Sequence, residues 1–144
     1  MITRTFSKIY GLAGLRVGYA LTSAEIADLM NRVRQPFNCN NMALAAATAA
    51  LDDHEFVARS YALNRAGMEQ IVGGLKRLGC HHIPSHGNFV TFRVSEAALV
   101  NQSLLRHGVI VRPIAAYGMP EWLRVTIGTE RENARFLEAL GGSL

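Results

Sequence analysis

The chain is poor in the residues that build metal centres and disulfide frameworks. Two cysteines occur in 144 residues, Cys39 and Cys80, far apart and with no ligand-type spacing around either. The histidines do not supply the lack, because His81, His82 and His86 have no companion carboxylate at zinc-like spacing. No metal site is expected, and two isolated thiols point to a reducing cytoplasm. No secretory-type apolar stretch precedes the first motif, and no apolar run reaches bilayer-spanning length, even around Ala43 to Leu51. Internal repeats and low-complexity segments are also missing. Lysine is scarce: of fifteen basic residues only Lys8 and Lys76 are lysines. The net charge of +4 is spread along the chain rather than gathered in one run, so nucleic acid is not an expected partner.

What is present is a concentrated motif at the start, Thr5-Phe6-Ser7-Lys8-Ile9-Tyr10-Gly11-Leu12-Ala13-Gly14-Leu15-Arg16. A lysine amine is compact, and burial or neighbouring cations bring lysines toward neutrality, which suits the residue type to Schiff-base chemistry. Ser7 offers a hydroxyl and Arg16 a guanidinium that grips an anion bidentately, so a phosphate-bearing ligand beside Lys8 is a natural expectation. Gly11 and Gly14 permit a tight turn and close backbone approach. Two glycines three apart are weak evidence by themselves, and a basic surface loop explains them equally. A phosphate-binding nucleotide loop does not, because the Gly-Lys-Ser/Thr ending is missing.

The pattern Ser-Lys-x-x-Gly-x-x-Gly-x-Arg, followed by Val17-Gly18-Tyr19, resembles the cofactor-lysine segment of pyridoxal-phosphate-dependent aminotransferases of the aspartate aminotransferase fold. Within them it is most similar to the histidinol-phosphate branch. The resemblance continues through Arg34-Gln35-Pro36-Phe37-Asn38, Gly87-Asn88-Phe89-Val90 and Val111-Arg112-Pro113 to Leu123-Arg124-Val125-Thr126-Ile127-Gly128-Thr129. It implies pyridoxal 5'-phosphate as cofactor, joined to Lys8 as an imine, with Ser7 and Arg16 on its phosphate. It also implies a C-terminal portion of the fold, since family members carry the pyridine-nitrogen aspartate and the ring-stacking aromatic residue on polypeptide ahead of this lysine.

The coarse organisation agrees with an α/β class. Val17 to Leu21 reads as a short buried strand, and Thr22-Ser23-Ala24-Glu25 as a capping box opening a helix with Ile26, Leu29, Met30 and Val33 on its core-facing side. Pro36 stops that helix, and a polar turn, which the resemblance sets beside the active-site entrance, leads to the alanine-rich helix Met42 to Leu51. Asp52 with Glu55 caps a long helix ending at Gly79, with Gly73-Gly74 as its weak point. Phe89 to Val94 is a strand, a Ser95-capped helix runs to His107, Val109 to Arg112 is a strand, and Leu123 to Ile127 alternates again. Thr129 with Glu132 caps the last helix. The expected domains are a remnant of the large cofactor-binding α/β domain at 1–51, a linking helix at 52–79, and a small α+β domain at 80–144.

Arg124 stands inside an otherwise apolar strand, where an unpaired guanidinium is expensive to bury. A bound anion removes that cost, and so does an outward orientation toward a nearby Glu. The resemblance implies the first: this arginine binds the anionic group of the substrate, a carboxylate or the phosphate of histidinol phosphate, helped by Arg112. Tyr10, Asn38 and Asn88 are further pocket candidates, while Tyr117 and Trp122 read as packing. The implied activity is transamination between histidinol phosphate and a glutamate/2-oxoglutarate couple in histidine biosynthesis, by a cytoplasmic homodimer. Aromatic or acidic amino-acid transamination is the alternative within the class. A folded, self-associating domain without chemistry is the alternative outside it.

Overall fold

The computed structural model describes residues 1–144, which divide into two compact units, Met1–Tyr61 and Ala62–Leu144. In the first, strand β1 (Ile2–Thr5) pairs antiparallel with β2 (Gly18–Leu21), Ile2 facing Leu21 and Thr5 facing Gly18. Gly18 has to be glycine, because a Cβ there would lie 2.7 Å from the Arg4 carbonyl oxygen. Helix α1 (Ala24–Val33) starts where the Ser23 side chain accepts from Ile26 N, and α2 (Asn41–Asp52) where Asn40 accepts from Ala43 N at 2.8 Å. Phe6, Val17, Ala43 and Ala47 form the small core of this unit.

Two apolar stretches of this unit lie open, as the resemblance implies for a chain taken without the polypeptide that family members carry ahead of this lysine. Of the run Val17 to Leu21, only Val17 is buried, and Tyr19 and Leu21 are exposed on a two-stranded ribbon. The apolar side of α1 is likewise uncovered: Ile26, Leu29 and Met30 are all more than 40% exposed and Val33 is 84% exposed. Periodicity makes a stripe, but burial needs a facing surface, and this unit presents none to α1.

Helix α3 (His54–Arg77) is opened by Asp53, whose Oδ1 accepts from Phe56 N at 2.9 Å; Asp52, the expected cap, is the last residue of α2 instead. It runs unbroken through Gly73-Gly74. The second unit holds a four-stranded antiparallel sheet in the order β3 (His82–Ile83), β4 (Phe89–Arg93), β6 (Trp122–Thr126), β5 (Arg112–Pro113). Alternation sends Val90, Phe92, Leu123 and Val125 into one core with Ile71 and Leu75 of α3, Leu104 of α4 (Ala97–Arg106), and Phe136 and Leu140 of α5 (Glu130–Gly141). Each such side chain contributes roughly 1.5–3 kcal/mol on full burial. Phe92 and Phe136 meet edge to face at 5.6 Å.

The capping box forms at α5, with Glu132 Oε2 accepting from Thr129 N at 2.8 Å and Thr129 Oγ1 accepting from Glu132 N. At α4 the expected Ser95 cap does not form: Glu96 is the N-cap residue and makes no side-chain capping bond. The Val109 to Arg112 strand shortens to Arg112–Pro113, because Val109 N donates to Leu104 O to close α4 behind Gly108, whose φ is +71°. Trp122 is half-buried, whereas Tyr117, expected to pack, is 68% exposed. No helix is long and apolar enough to cross a membrane.

Candidate active site

Ser7, Lys8 and Arg16 lie on one closed loop between β1 and β2. The loop is pinned at its neck by Phe6 N donating to Val17 O and across its middle by Leu12 N donating to Phe6 O at 2.9 Å. Gly11 N donates back to Lys8 O at 2.9 Å, and Gly11 adopts φ +70°, the left-handed region that glycine enters without a Cβ penalty. Phe6 is the buried peg beneath the loop, with its ring 4.9 Å from Tyr10 and 5.9 Å from Tyr19. Lys8 is exposed and Ser7 half-buried. Nothing lies within 4 Å of where a Cβ of Gly11 or Gly14 would stand, so this stretch of backbone is open to a ligand.

Arg16 is held in an unusual conformation, φ 52° and ψ 50°, at the end of the 3-10 turn Ala13–Leu15, and its Nη1 donates to Ala13 O at 2.8 Å. Left-handed backbone at a non-glycine residue costs energy, and such strain gathers at ligand sites. One of the five guanidinium donors is used on the loop itself, which leaves the others for an anion. Asn38 is engaged locally, accepting from Arg34 Nη1 at 3.3 Å. Asn88 offers its backbone carbonyl to Ile127 N.

In the second unit the register places Arg112 of β5 directly opposite Arg124 of β6, and Thr91 of β4 opposite Arg124 on its other side. Like charges facing each other across an antiparallel pair are destabilising. The third arginine on this face, Arg93, is neutralised by Glu121, to which its Nε donates at 2.8 Å. Arg112 and Arg124 have no carboxylate in ion-pair contact. The Arg124 guanidinium instead lies over the Phe89 ring, 4.5 Å from its centroid. Two guanidinium groups without a carboxylate partner on one face can together hydrogen-bond an anion with more than one oxygen. An open groove along α3, lined by Ala62, Leu63, Ala66, Gly67, Gln70 and Glu130, contains none of these residues.

Residues 1–140 match the family model of aminotransferase class I and II. The chain belongs to that family. It is 76% identical over 144 residues to histidinol-phosphate aminotransferase 1 of Dechloromonas aromatica, covering all of this chain and 40% of the relative. It is 67% identical over 140 residues to histidinol-phosphate aminotransferase of Methylobacillus flagellatus, covering 97% of this chain and 38% of the relative. Among solved structures, the histidinol-phosphate aminotransferase of Clostridium acetobutylicum superposes with a TM-score of 0.90 at 28% identity, over 97% of this chain and 44% of that one. The enzyme from Sinorhizobium meliloti in complex with pyridoxal-5'-phosphate gives 0.89 at 27% identity, over 98% and 40%. The fold is therefore that of the pyridoxal-phosphate-dependent aminotransferases, and the chain spans about 40% of the length of the curated relatives it matches.

Two residues that sequence reasoning missed are Phe89 as the stacking partner of Arg124 and the buried Asn133. The Asn133 amide accepts from Gly128 N at 2.9 Å and donates to Gln70 Oε1 at 3.0 Å, tying the end of β6 to α3. Alternation places Phe89 on one face of its strand, but only register reveals its partner. Asn133 gives no signal in a helix whose polar residues are mostly exposed.

Proposed function

We propose that the intact protein is a histidinol-phosphate aminotransferase using pyridoxal phosphate, exchanging the amino group between histidinol phosphate and the glutamate/2-oxoglutarate couple in histidine biosynthesis. The observation that carries this is the cross-strand pair Arg112 and Arg124, two cations on one sheet face with no carboxylate of this chain in ion-pair contact. The names of the relatives support the substrate. The loop from Ser7 to Arg16 fits the cofactor: it offers an exposed amine, a hydroxyl, a strained arginine with spare donors, and glycine backbone with open space above it. Pyridoxal phosphate, when bound, supplies the electron sink that acidifies the hydrogen on the reacting carbon.

This chain's own residues have separate tasks. Lys8 Nζ would be the attachment atom for the cofactor, and as a free amine it would take up and return the substrate's proton. Ser7 Oγ and the Arg16 guanidinium hold the cofactor phosphate. Arg124, assisted by Arg112, orients the substrate by its anionic end, and an anchor of that kind turns an encounter into a fixed geometry. Residues 1–51 are read as part of the cofactor-holding domain, 52–79 as the linking helix and 80–144 as the small C-terminal domain. The uncovered apolar side of α1 supports a protein in which further chain or a second copy packs there, as in a homodimer. Free Cys39 and Cys80 suit a reducing cytoplasm.

The test is amino transfer by the intact protein from histidinol phosphate, phenylalanine and aspartate to 2-oxoglutarate. We expect histidinol phosphate to give the highest kcat/KM and Lys8→Ala to abolish turnover. A higher kcat/KM for the aromatic or acidic donor would overturn the substrate assignment.

A further inference from the structure

Arg124 is half-buried, its side chain makes no hydrogen bond or ion pair, and it sits opposite another arginine, yet its guanidinium lies over the Phe89 ring. An arginine side chain carries considerable rotamer freedom, and freedom still present in the empty site must be given up when a ligand binds. We infer that Phe89 is the positioning residue for Arg124: its ring stacks against the flat face of the guanidinium and aims the N–H edge at the anion. The inference rests on the reading of Arg124 as the substrate's anion clamp.

The geometry favours this role over simple covering of the side-chain stem. Phe89 is the register partner of Thr126, which makes it the diagonal neighbour of Arg124 on the same face of the β4–β6 pair, within reach of an aromatic ring. The guanidinium carbon lies 4.5 Å from the ring centroid, within the distance at which a cation is drawn to the negative face of the ring. Held over the ring, the guanidinium spends none of its N–H groups on a protein acceptor, so its donors stay free. A carboxylate in the same position would consume them, and it would also cancel the charge that the substrate needs. Arg93 on the same face shows that alternative, spent on Glu121.

The backbone leading into Phe89 is itself anchored. Ile127 N donates to Asn88 O at 2.9 Å, Asn64 Nδ2 donates to Gly87 O at 3.1 Å, and Gly87 N donates to Ser85 Oγ at 3.2 Å. The loop ahead of β4 is thus tied both to the strand that carries Arg124 and to α3. Thr91, buried and directly opposite Arg124, borders the stem of the arginine on β4. Repulsion from Arg112, directly opposite, favours the place of the guanidinium over the ring.

The experiment replaces Phe89 in the intact protein by mono-, di- and trifluorophenylalanine, which keep the shape of the ring while draining its negative face. Phe89→Leu and Phe89→Tyr, and the whole series in an Arg124→Met background, complete the set. For histidinol phosphate we expect KM to rise stepwise with fluorination, reaching roughly 2- to 30-fold in the trifluoro protein and in Phe89→Leu, with kcat within about twofold of the parent. Phe89→Tyr should stay within about twofold, and fluorination should have no effect once Arg124 is methionine. If Arg124→Met alone leaves kcat/KM unchanged, the anion-clamp reading fails and takes this inference with it. If Arg124→Met is costly while the fluorinated proteins match the parent, or if the fluorination effect persists without Arg124, the role of Phe89 alone is overturned.

Discussion

Replacing Gly73 and Gly67 of α3 by alanine should move stability in opposite directions. Both are interior helix positions, where alanine is favoured over glycine by about 1 kcal/mol. At Gly73 a new Cβ would meet only Arg77 Nη1, at 3.6 Å, an ordinary contact, so Gly73→Ala should stabilise by close to that full amount. At Gly67 the Cβ would come within 2.5 Å of Ile127 Cγ2 and 2.9 Å of Asn133 Nδ2. Ile127 is buried and stiff at its branched Cβ, so it cannot swing aside, and overpacking of this kind costs roughly 1–3 kcal/mol. Displacing the Asn133 amide also loosens its bonds to Gly128 and Gln70, with about 1–3 kcal/mol at stake for buried polar groups left short of partners. After subtraction of the propensity gain, Gly67→Ala should lose about 3 kcal/mol. Urea and thermal unfolding of the intact protein, followed by circular dichroism, measure both variants, with each kcal/mol worth roughly 1–2 °C in Tm at the relatives' length. A Gly67→Ala midpoint at or above that of the parent would refute the claim that α3 packs on Ile127 and Asn133 through the missing side chain.

Two other perturbations probe the ends of the chain. Arg16→Gly should relieve left-handed backbone strain and so hold or raise stability, while weakening retention of pyridoxal phosphate by at least about tenfold through loss of a charge-assisted contact; equal cofactor affinity in a spectroscopic titration would show that Arg16 is only structural. The Glu132 carboxyl is held below its usual range chiefly by the backbone hydrogen bond from Thr129 and then by the Thr129 hydroxyl. A depressed native value means stability that is present above the unfolded pKa and lost as pH falls through the native one, so the deficit of Glu132→Gln against the parent should narrow steadily on acidification. A deficit independent of pH would contradict the capping role of the charged form.

Much of the second unit was legible because its signals are local. Alternation from Phe89 onward and the Thr129 to Glu132 spacing each contain their own physical cause, a period of two and a reciprocal cap, and both appear as expected. The errors arose where a local signal met a competing demand. Val109 looks like the start of a strand but closes α4, and Asp52 looks like a cap but belongs to the preceding helix. The stripe from Ile26 to Val33 is a different case: its period forms the helix as expected, and its exposure is what the resemblance implies for this portion of the fold. At the candidate site, Lys8 and Arg124 stand out from their neighbours in the chain. The opposition of Arg112 to Arg124, the ring under the guanidinium and the space that Gly67 leaves for Ile127 depend on register and packing between segments distant in sequence.

The central claim is that Lys8 is where the cofactor is attached, and Lys76, the other lysine of these 144 residues, serves as an internal comparison. The intact protein is incubated with pyridoxal phosphate, reduced with borohydride, digested and mapped by mass spectrometry. The account predicts the reduced pyridoxyl group on the peptide containing Lys8, with Lys76 unmodified. Modification of Lys76 or another amine, with Lys8 recovered free, would contradict it.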